Sequence, residues 1–424
     1  MRFLLLNQCF YPDVVSTAQH LSDLAKELAA RGHDVTVLTS DRGYDDPNTR
    51  FPRREEWNGI RIIRIPSLSL GKESKLRRAL NFGSFLIVCS LRLLTLHRFD
   101  VVIALTSPPL ISFLASLFVA IKGGRFCFWV MDLNPDEAIA AGWLKEGSLT
   151  ARLLARMLNH SLKRADRTIV LDRFVKARLL EKGIEPHRIS IVPPWSHEDA
   201  ISYSPAGRQR FRQEHRLGEK FVVMYSGNHS PCHPLDTLLN AGLALSSRSE
   251  FSFCFVGGGS EKTKVQKFAA LYQLSNIVCL PYQPLRELSG SLSGADLHVV
   301  VMGEKFVGIV HPCKIYNILA IGTPTLYIGP QESHITDIAS ECGTNCVFLA
   351  EHGNTAAVVQ HIIKVSQEKF TTGVAAMRGV ADQYSRRTLL PQMINLIEFN
   401  QSNGLAIPDS VAAKSIQAQE HTNY

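Results

Sequence analysis

Cysteine is scarce in this 424-residue chain, and its nine cysteines stand apart, with no C-x-x-C pair. Cys342 and Cys346 are the closest two, and no His-x-x-x-His follows them. This excludes a disulfide-built scaffold, offers no zinc-ligand spacing and fits a reducing cytosol. Charged residues are 20% against 45% hydrophobic, and glycine and proline are at ordinary levels, which excludes collagen-like, coiled-coil and largely disordered chains. The N-terminus has one charge and a short apolar run without a small-residue cleavage site, so no secretory leader is expected. An unbroken membrane span is also lacking. Residues 101–121 are uncharged and long enough to cross a bilayer, but Pro108 and Pro109 interrupt them. A proline pair removes two backbone donors and drives the preceding residue out of helix geometry. The stretch therefore reads as a buried strand (101–105), a turn and a buried helix (110–121).

The length favours two or three domains. The net charge of +8 is uneven, with 28 basic against 21 acidic residues in positions 1–200. Six basic residues (Lys72, Lys75, Arg77, Arg78, Arg92, Arg98) fall within 72–98 beside the single acid Glu73. Such a surface attracts phosphates or an anionic lipid leaflet, or is simply a solvated helix face. The basic residues are not interleaved with aromatics and no nucleic-acid motif occurs, so a nucleic-acid partner is not expected.

Short apolar runs alternate with helical periods. Strands are expected at 2–7, 34–39, 60–65, 101–105, 126–130, 168–171 and 189–192, with helices at 16–31, 75–96, 110–121, 150–164 and 173–182. A Pro- and Ser-rich break follows near 195–205. The pattern restarts with strands at 221–226, 251–256, 277–280, 297–301, 325–328 and 347–349, and helices at 235–245, 261–271, 285–293, 313–321, 333–341 and 354–367. This is the α/β signature of two Rossmann-like, doubly wound parallel-sheet domains, 1–198 and 205–375. A last helix occupies 376–400, and the polar tail 401–424 is expected to be disordered. Two such domains bring their strand C-termini and helix N-termini to one cleft, the expected active site.

Four loops in that arrangement carry chemistry. The first, 9–20, is long for a simple crossover and holds Asp13, Ser16, Thr17 and Gln19, an acceptor or diphosphate loop in which Ser16 and Thr17 are also placed to cap the helix. The second puts Asp132 at a strand end, where it can bind a sugar hydroxyl or accept an acceptor's proton; Asp136 suits a helix N-cap. The third contains Gly227, Asn228, His229 and His233, where glycine admits a ligand close to the backbone and the other side chains donate to phosphate. His229, Cys232 and His233 also suggest a metal, but Pro231 and Pro234 prevent one continuous helix, so no metal is expected. The turn at Gly257 and Gly258 adds a nucleotide wall, and Tyr282 is placed with it. The last loop runs from Gly308 and Ile309 through Pro312 to Lys314 and Asn317. Lys314 sits in a helix's first turn, where the dipole disfavours a cation, and this points to an anionic ligand, with a solvated lysine as the plain alternative.

With these motifs on view, the chain resembles family-four retaining glycosyltransferases of the two-Rossmann GT-B type, in the WcaI-like branch of colanic-acid-type exopolysaccharide synthesis. The resemblance rests jointly on residues 7–40, 129–136 (WVMDLNPD), 225–239 (YSGNHSPCHPLDTLL) and 311–324 (HPCKIYNILAIGTP). It implies transfer from a UDP- or GDP-linked nucleotide-sugar, retention of configuration and no metal or other cofactor. The implied acceptor is a polyprenyl-diphosphate-linked saccharide at the cytoplasmic face of the inner membrane. It also implies a last helix that returns to the first domain. Ile309 and Asn317 stand where many relatives carry glutamates, and Asn228 and His233 where many carry Arg and Lys. Lys314 then supplies the missing cation and Asn317 a neutral ribose partner. A sugar-nucleotide 2-epimerase shares the architecture but needs several cleft carboxylates, which the second-domain motifs lack. A non-catalytic sugar-nucleotide-binding subunit is the third reading, motivated by the absent glutamates.

Overall fold

The computed structural model describes residues 1–43, 48–71, 75–196, 201–343, 345–368 and 373–398. The expected tail 401–424, part of the break near 195–205, and Lys72 and Glu73 lie outside the described residues.

Runs such as VVIA and FCFW are apolar on both faces, and such strands are stable only where helices cover both sides of a sheet. Two sheets result. The first contains β1 (Arg2–Leu6), β2 (Asp34–Ser40), β3 (Arg54–Trp57), β4 (Ile60–Ile65), β5 (Val101–Ala104), β6 (Arg125–Trp129), β7 (Arg167–Val170) and β8 (Ile189–Ile191), in the order β3-β4-β2-β1-β5-β6-β7-β8. The second contains β9 (Phe221–Ser226), β10 (Phe251–Val256), β11 (Ile277–Leu280), β12 (Leu297–Val301), β13 (Thr325–Ile328) and β14 (Val347–Ala350), in the order β11-β10-β9-β12-β13-β14. Every pairing is parallel except β3 with β4. The direction of winding reverses at β1 in one sheet and at β9 in the other, and crevices beyond the strand ends at such reversals bind ligands.

β3 was not expected. Its REEW sequence alternates exposed and half-buried residues at the sheet's edge, where charge discourages pairing with another chain. Residues 101–121 divide as anticipated into β5, a turn and the helix Ile111–Lys122. Among the described residues, the helix long and apolar enough to span a bilayer is a different one, Arg77–Thr95 within Lys75–Thr95. Where the expected break ends, Pro205–Glu214 is helical: Pro205 opens it and the Ser204 hydroxyl accepts from the Gly207 amide. Asp136–Ala140 is a further helix beyond those expected, and the helix expected over 376–400 is divided into Gly373–Gln383 and Arg386–Glu398. Neither anticipated cap forms. Val15 precedes the helix Ser16–Ala30 without a side-chain cap, and Asp136 lies inside its helix, paired with Lys182 at 2.8 Å. Ser16 and Asp136 each fall one residue past the capping position.

The last helix, Arg386–Glu398, packs on the first domain. Glu398 accepts from His33 Nε2 at 2.7 Å and from Arg31 at 3.1 Å. Beside it the chain leaving the first sheet is fixed by Trp195, 2% exposed, whose indole donates to Asp23 at 3.0 Å, while the Ser196 amide donates to the Tyr384 carbonyl. Asp23 also faces Arg386 at 3.5 Å. Asp23→Ala is expected to leave the Trp195 indole without its acceptor and to cost about 1–3 kcal/mol, read as a lowered midpoint in urea-induced unfolding.

Candidate active site

The second sheet's reversal point is built from glycines because two backbones must touch there. A Cβ on Gly257 would lie 2.0 Å from the Gly227 carbonyl oxygen, and one on Gly259 2.3 Å from the His229 carbonyl. Gly227, Gly257 and Gly259 all have φ near +130°, a region that L side chains avoid. A Cβ on Gly258 would meet the ring of Tyr282 at 3.0 Å, and Tyr282 is 53% exposed at the rim.

Lys314 faces this paired turn. It opens the helix Lys314–Ile321, its Nζ stands 3.6 Å from the centroid of the Tyr225 ring, and a Cβ on Gly227 would meet it at 3.2 Å. The Nζ is buried and, among the described residues, has no hydrogen-bond partner. Burial brings its pKa down from 10.5 to about 7. The neighbouring imidazoles are neutral. His229 is brought down to about 4, and His233 to about 3, by burial first and the Lys314 charge second. Their Nδ1 atoms donate to the carbonyls of Gly227 and Val301 at 3.1 and 2.7 Å. The Nε2 of His229 is buried and, among the described residues, has no hydrogen-bond partner. The Asn228 carbonyl accepts from the Tyr225 hydroxyl at 2.7 Å, which fixes the turn. Asn317, half-buried, lies one helical turn beyond Lys314.

The opposite wall comes from the first domain. Asp132 follows β6 and lines a small cavity with Thr106, Pro109, Ser112 and Asn134. Burial, then the nearby Glu137, raise its pKa to about 7. Glu137 is also raised, chiefly by burial, although it accepts from Asn134 at 2.9 Å. The Ser16 hydroxyl bonds to Cys313, which also feels the Asp132 charge, so the first loop and the lysine helix meet across the cleft. Of the other residues in that loop, Gln19 donates to the Val14 carbonyl, Asp13 donates its amide to Phe10, and Thr17 is half-buried.

Gly308 and Ile309 sit at the domain junction. A Cβ on Gly308 would lie 2.7 Å from the Phe174 carbonyl, and the Ile309 carbonyl accepts from the Leu133 amide at 3.0 Å. Ile309 is 4% exposed, and its side chain packs in the core where the two domains join. The sequence reading passed over the rest of this junction. Asp172 caps the helix Arg173–Glu181 and bonds His311 Nδ1 at 2.7 Å; His311 Nε2 meets the Tyr316 hydroxyl at 2.7 Å. Burial raises the Asp172 pKa, but the His311 bond, the charges of His311 and His334 and the Val175 amide outweigh it and bring it to about 2. His334 stacks on His311 at 3.7 Å, and Arg173 clasps Asp337 at 2.8 and 3.0 Å. Asp172 follows β7 as Asp132 follows β6, and that shared position was the available signal. Asp172, His311 and His334 are the metal-capable group among the described residues, but Asp172 and His311 already satisfy each other.

Comparison with known proteins accords with this geometry. Residues 17–195 match the family model described as Glycosyl transferase 4-like domain. Over 337 residues the chain is 25% identical to the putative colanic acid biosynthesis glycosyl transferase WcaI of Escherichia coli K12, covering 76% of this chain and 82% of that protein. It is 28% identical to the probable glycosyltransferase WbjE of Pseudomonas aeruginosa, covering 59% and 63%. Among solved structures, sucrose-phosphate synthase from Thermosynechococcus elongatus superposes with a TM-score of 0.72 at 15% identity, covering 93% of this chain and 98% of that one. HepE of Anabaena, in complex with UDP-glucose, gives 0.69 at 15%, covering 93% and 99%. The fold is GT-B, as anticipated, and the chain is a glycosyltransferase.

Gly257→Ala should disrupt the paired turn and cost about 1–3 kcal/mol in folding stability. Gly353→Ala, at φ +83° with nothing within 4 Å of a Cβ, should cost only about 1 kcal/mol. Thermal unfolding of the two variants compares them.

Proposed function

We propose that this glycosyltransferase is retaining and metal-independent, moving a hexose from a UDP- or GDP-linked donor to a polyprenyl-diphosphate-linked saccharide at the cytoplasmic face of the membrane. The observation that carries the reading is the buried Lys314 ammonium, which has no hydrogen-bond partner among the described residues and only the face of Tyr225 beside it. A desolvated cation at a glycine-lined helix start is stabilised by a diphosphate and by few other ligands. The UDP-glucose complex of HepE supports a nucleotide-sugar as the donor class. The bacterial polysaccharide relatives support the acceptor class.

In this reading Lys314, the amides of the 227 and 257–259 turns and the Asn228 side chain hold the diphosphate. Tyr282 covers the base and Asn317 meets the ribose. The bond from the anomeric carbon to the diphosphate oxygen breaks, and its electron pair leaves with the diphosphate. The acceptor oxygen bonds to the same face of that carbon and gives its proton to Asp132. Charge grows on the diphosphate oxygen in the transition state, where a desolvated ammonium acts most strongly. Lys314, the amides and the helix dipole supply positive charge that a divalent cation supplies in other transferases.

A nucleotide-sugar diphosphate keeps its two charges across neutral pH, so Lys314 sets the pH dependence of donor binding. Bound anion raises the lysine's pKa. Affinity should therefore be level below about 7 and weaken as pH rises through that value. Lys314→Met should weaken binding by about 10–100-fold and flatten the profile; isothermal titration with UDP- and GDP-sugars reads both. Binding unchanged in Lys314→Met would exclude this donor site.

Asp132 must be ionised to take the acceptor's proton, so the rate should rise as pH passes about 7. Glu137→Gln removes a like charge and should move that limb to lower pH, while Asp132→Asn should lower kcat by about 10²–10⁴-fold. Rate profiles over pH 5–9 check the pair.

A further inference from the structure

Three neighbouring helices of the first domain, Lys75–Thr95, Ile111–Lys122 and Leu149–Arg164, carry nine Lys and Arg residues and not one Asp or Glu. They make the crossovers leading into β5, β6 and β7, all stepping the same way along the sheet, so they share one layer. The second helix packs against the other two.

The first of these helices is apolar on two opposite faces. Phe85, Cys89 and Leu93 are buried in the core. Leu80, Ile87, Leu91 and Leu94, spaced seven, four and three apart, form a single stripe on the other side and are 45–65% exposed. Only 17% of its apolar stretch is buried. The stripe continues onto the adjoining helices with Leu117 and Ile121 (38 and 70% exposed), then Leu149 and Leu153 (84 and 57%). Arg77, Arg152, Arg156, Lys163 and Arg164 are exposed among or beside these side chains.

We propose that this three-helix face docks on the surface of an anionic bilayer, with the aliphatic side chains entering the headgroup boundary and the arginines and lysines meeting lipid phosphates. The inference deepens the lipid-linked acceptor reading and rests on it for orientation. The helix starts, with Leu80, Leu149 and Leu153, lie at the strand-end side of the sheet, where Asp132 lines its cavity. A docked face therefore brings the acceptor wall of the cleft to the membrane. Two properties select a bilayer as the occupant. The absence of acids over 49 residues leaves no counter-charge for the basic residues of a second copy of the same face. The apolar stripe beside cationic side chains is the pattern of a helix lying in an interface. The helix does not cross the bilayer, because withdrawing Phe85, Cys89 and Leu93 would open the core.

The full-length protein tests this by flotation with phosphatidylglycerol–phosphatidylethanolamine vesicles, alongside phosphatidylcholine vesicles, at low and high salt. Binding is expected to the anionic vesicles, to fall as salt rises, and to drop about tenfold or more in the Ile87→Glu, Leu91→Glu double variant. Release by alkaline carbonate is expected, with the variant's unfolding midpoint and nucleotide-sugar affinity unchanged. Failure to float, flotation unaffected by the double variant, resistance to carbonate, or a wild-type dimer that the variant converts to monomers each overturns the proposal. Nucleotide-sugar affinity without vesicles separates the two readings. Loss of docking with donor binding intact removes the surface alone, and docking without donor binding removes the donor site alone.

Discussion

A cation taken out of water without an anion beside it destabilises a fold, and Lys314 is held in that state by everything around it. Tyr225 offers only its ring face, at 3.6 Å. His229 and His233 stay neutral and commit Nδ1 to backbone carbonyls. Gly227 omits the side chain that would press on the ammonium. The helix start adds a dipole of the same sign. A pKa brought to about 7 records the cost of burial. The glycines follow from it: loops that must leave room for a ligand against a buried charge approach each other backbone to backbone, and only glycine permits distances such as that between Gly257 and the Gly227 carbonyl.

The junction between the domains is held by different chemistry. Asp172, His311 and Tyr316 form a chain of short hydrogen bonds in which each polar atom has a partner, and the carboxylate is stabilised to about 2. Buried polar groups that satisfy one another fix an orientation at little net cost. Those groups are contributed from both sides: Asp172 from the helix after β7, and His311 from the loop that ends at Lys314. The position of the buried ammonium relative to the first domain is thereby tied to the first domain's own sheet.

Much of this was legible in the sequence, for identifiable reasons. Buried parallel strands are apolar on both faces, so thirteen of the fourteen strands among the described residues announced themselves; β3, charged and at an edge, did not. The helix Pro205–Glu214 follows directly on a Pro- and Ser-rich stretch and was passed over, although Ser204 before Pro205 is a start signal. Lys314 stood out because it breaks the dipole preference, a local rule. Asp172 and Glu137 break no local rule. Asp172 reads as an ordinary helix cap, and its bond to His311 spans 139 residues. Ile309 is apolar, and its side chain lies in the core at the domain junction. The paired exposed and buried faces of the helix Lys75–Thr95 were masked for another reason: a stripe of leucines at helical spacing looks the same whether a core or water lies beyond it.

The cleft's two walls are complementary in charge and alike in their physics. Burial drives the lysine on one wall and the aspartate on the other toward neutrality, so both reach about 7 from opposite directions. They come close through Cys313, the residue before Lys314, which feels the Asp132 charge and bonds Ser16. Had they met directly, each would have satisfied the other and the usual salt-bridge shifts would follow, with the lysine raised and the aspartate lowered. The opposite shifts mean that the fold keeps them apart at the cost of stability. A donor presenting an anion to one wall and an acceptor presenting a hydroxyl to the other recover that cost on binding, which is how a site built from unsatisfied groups selects the pair.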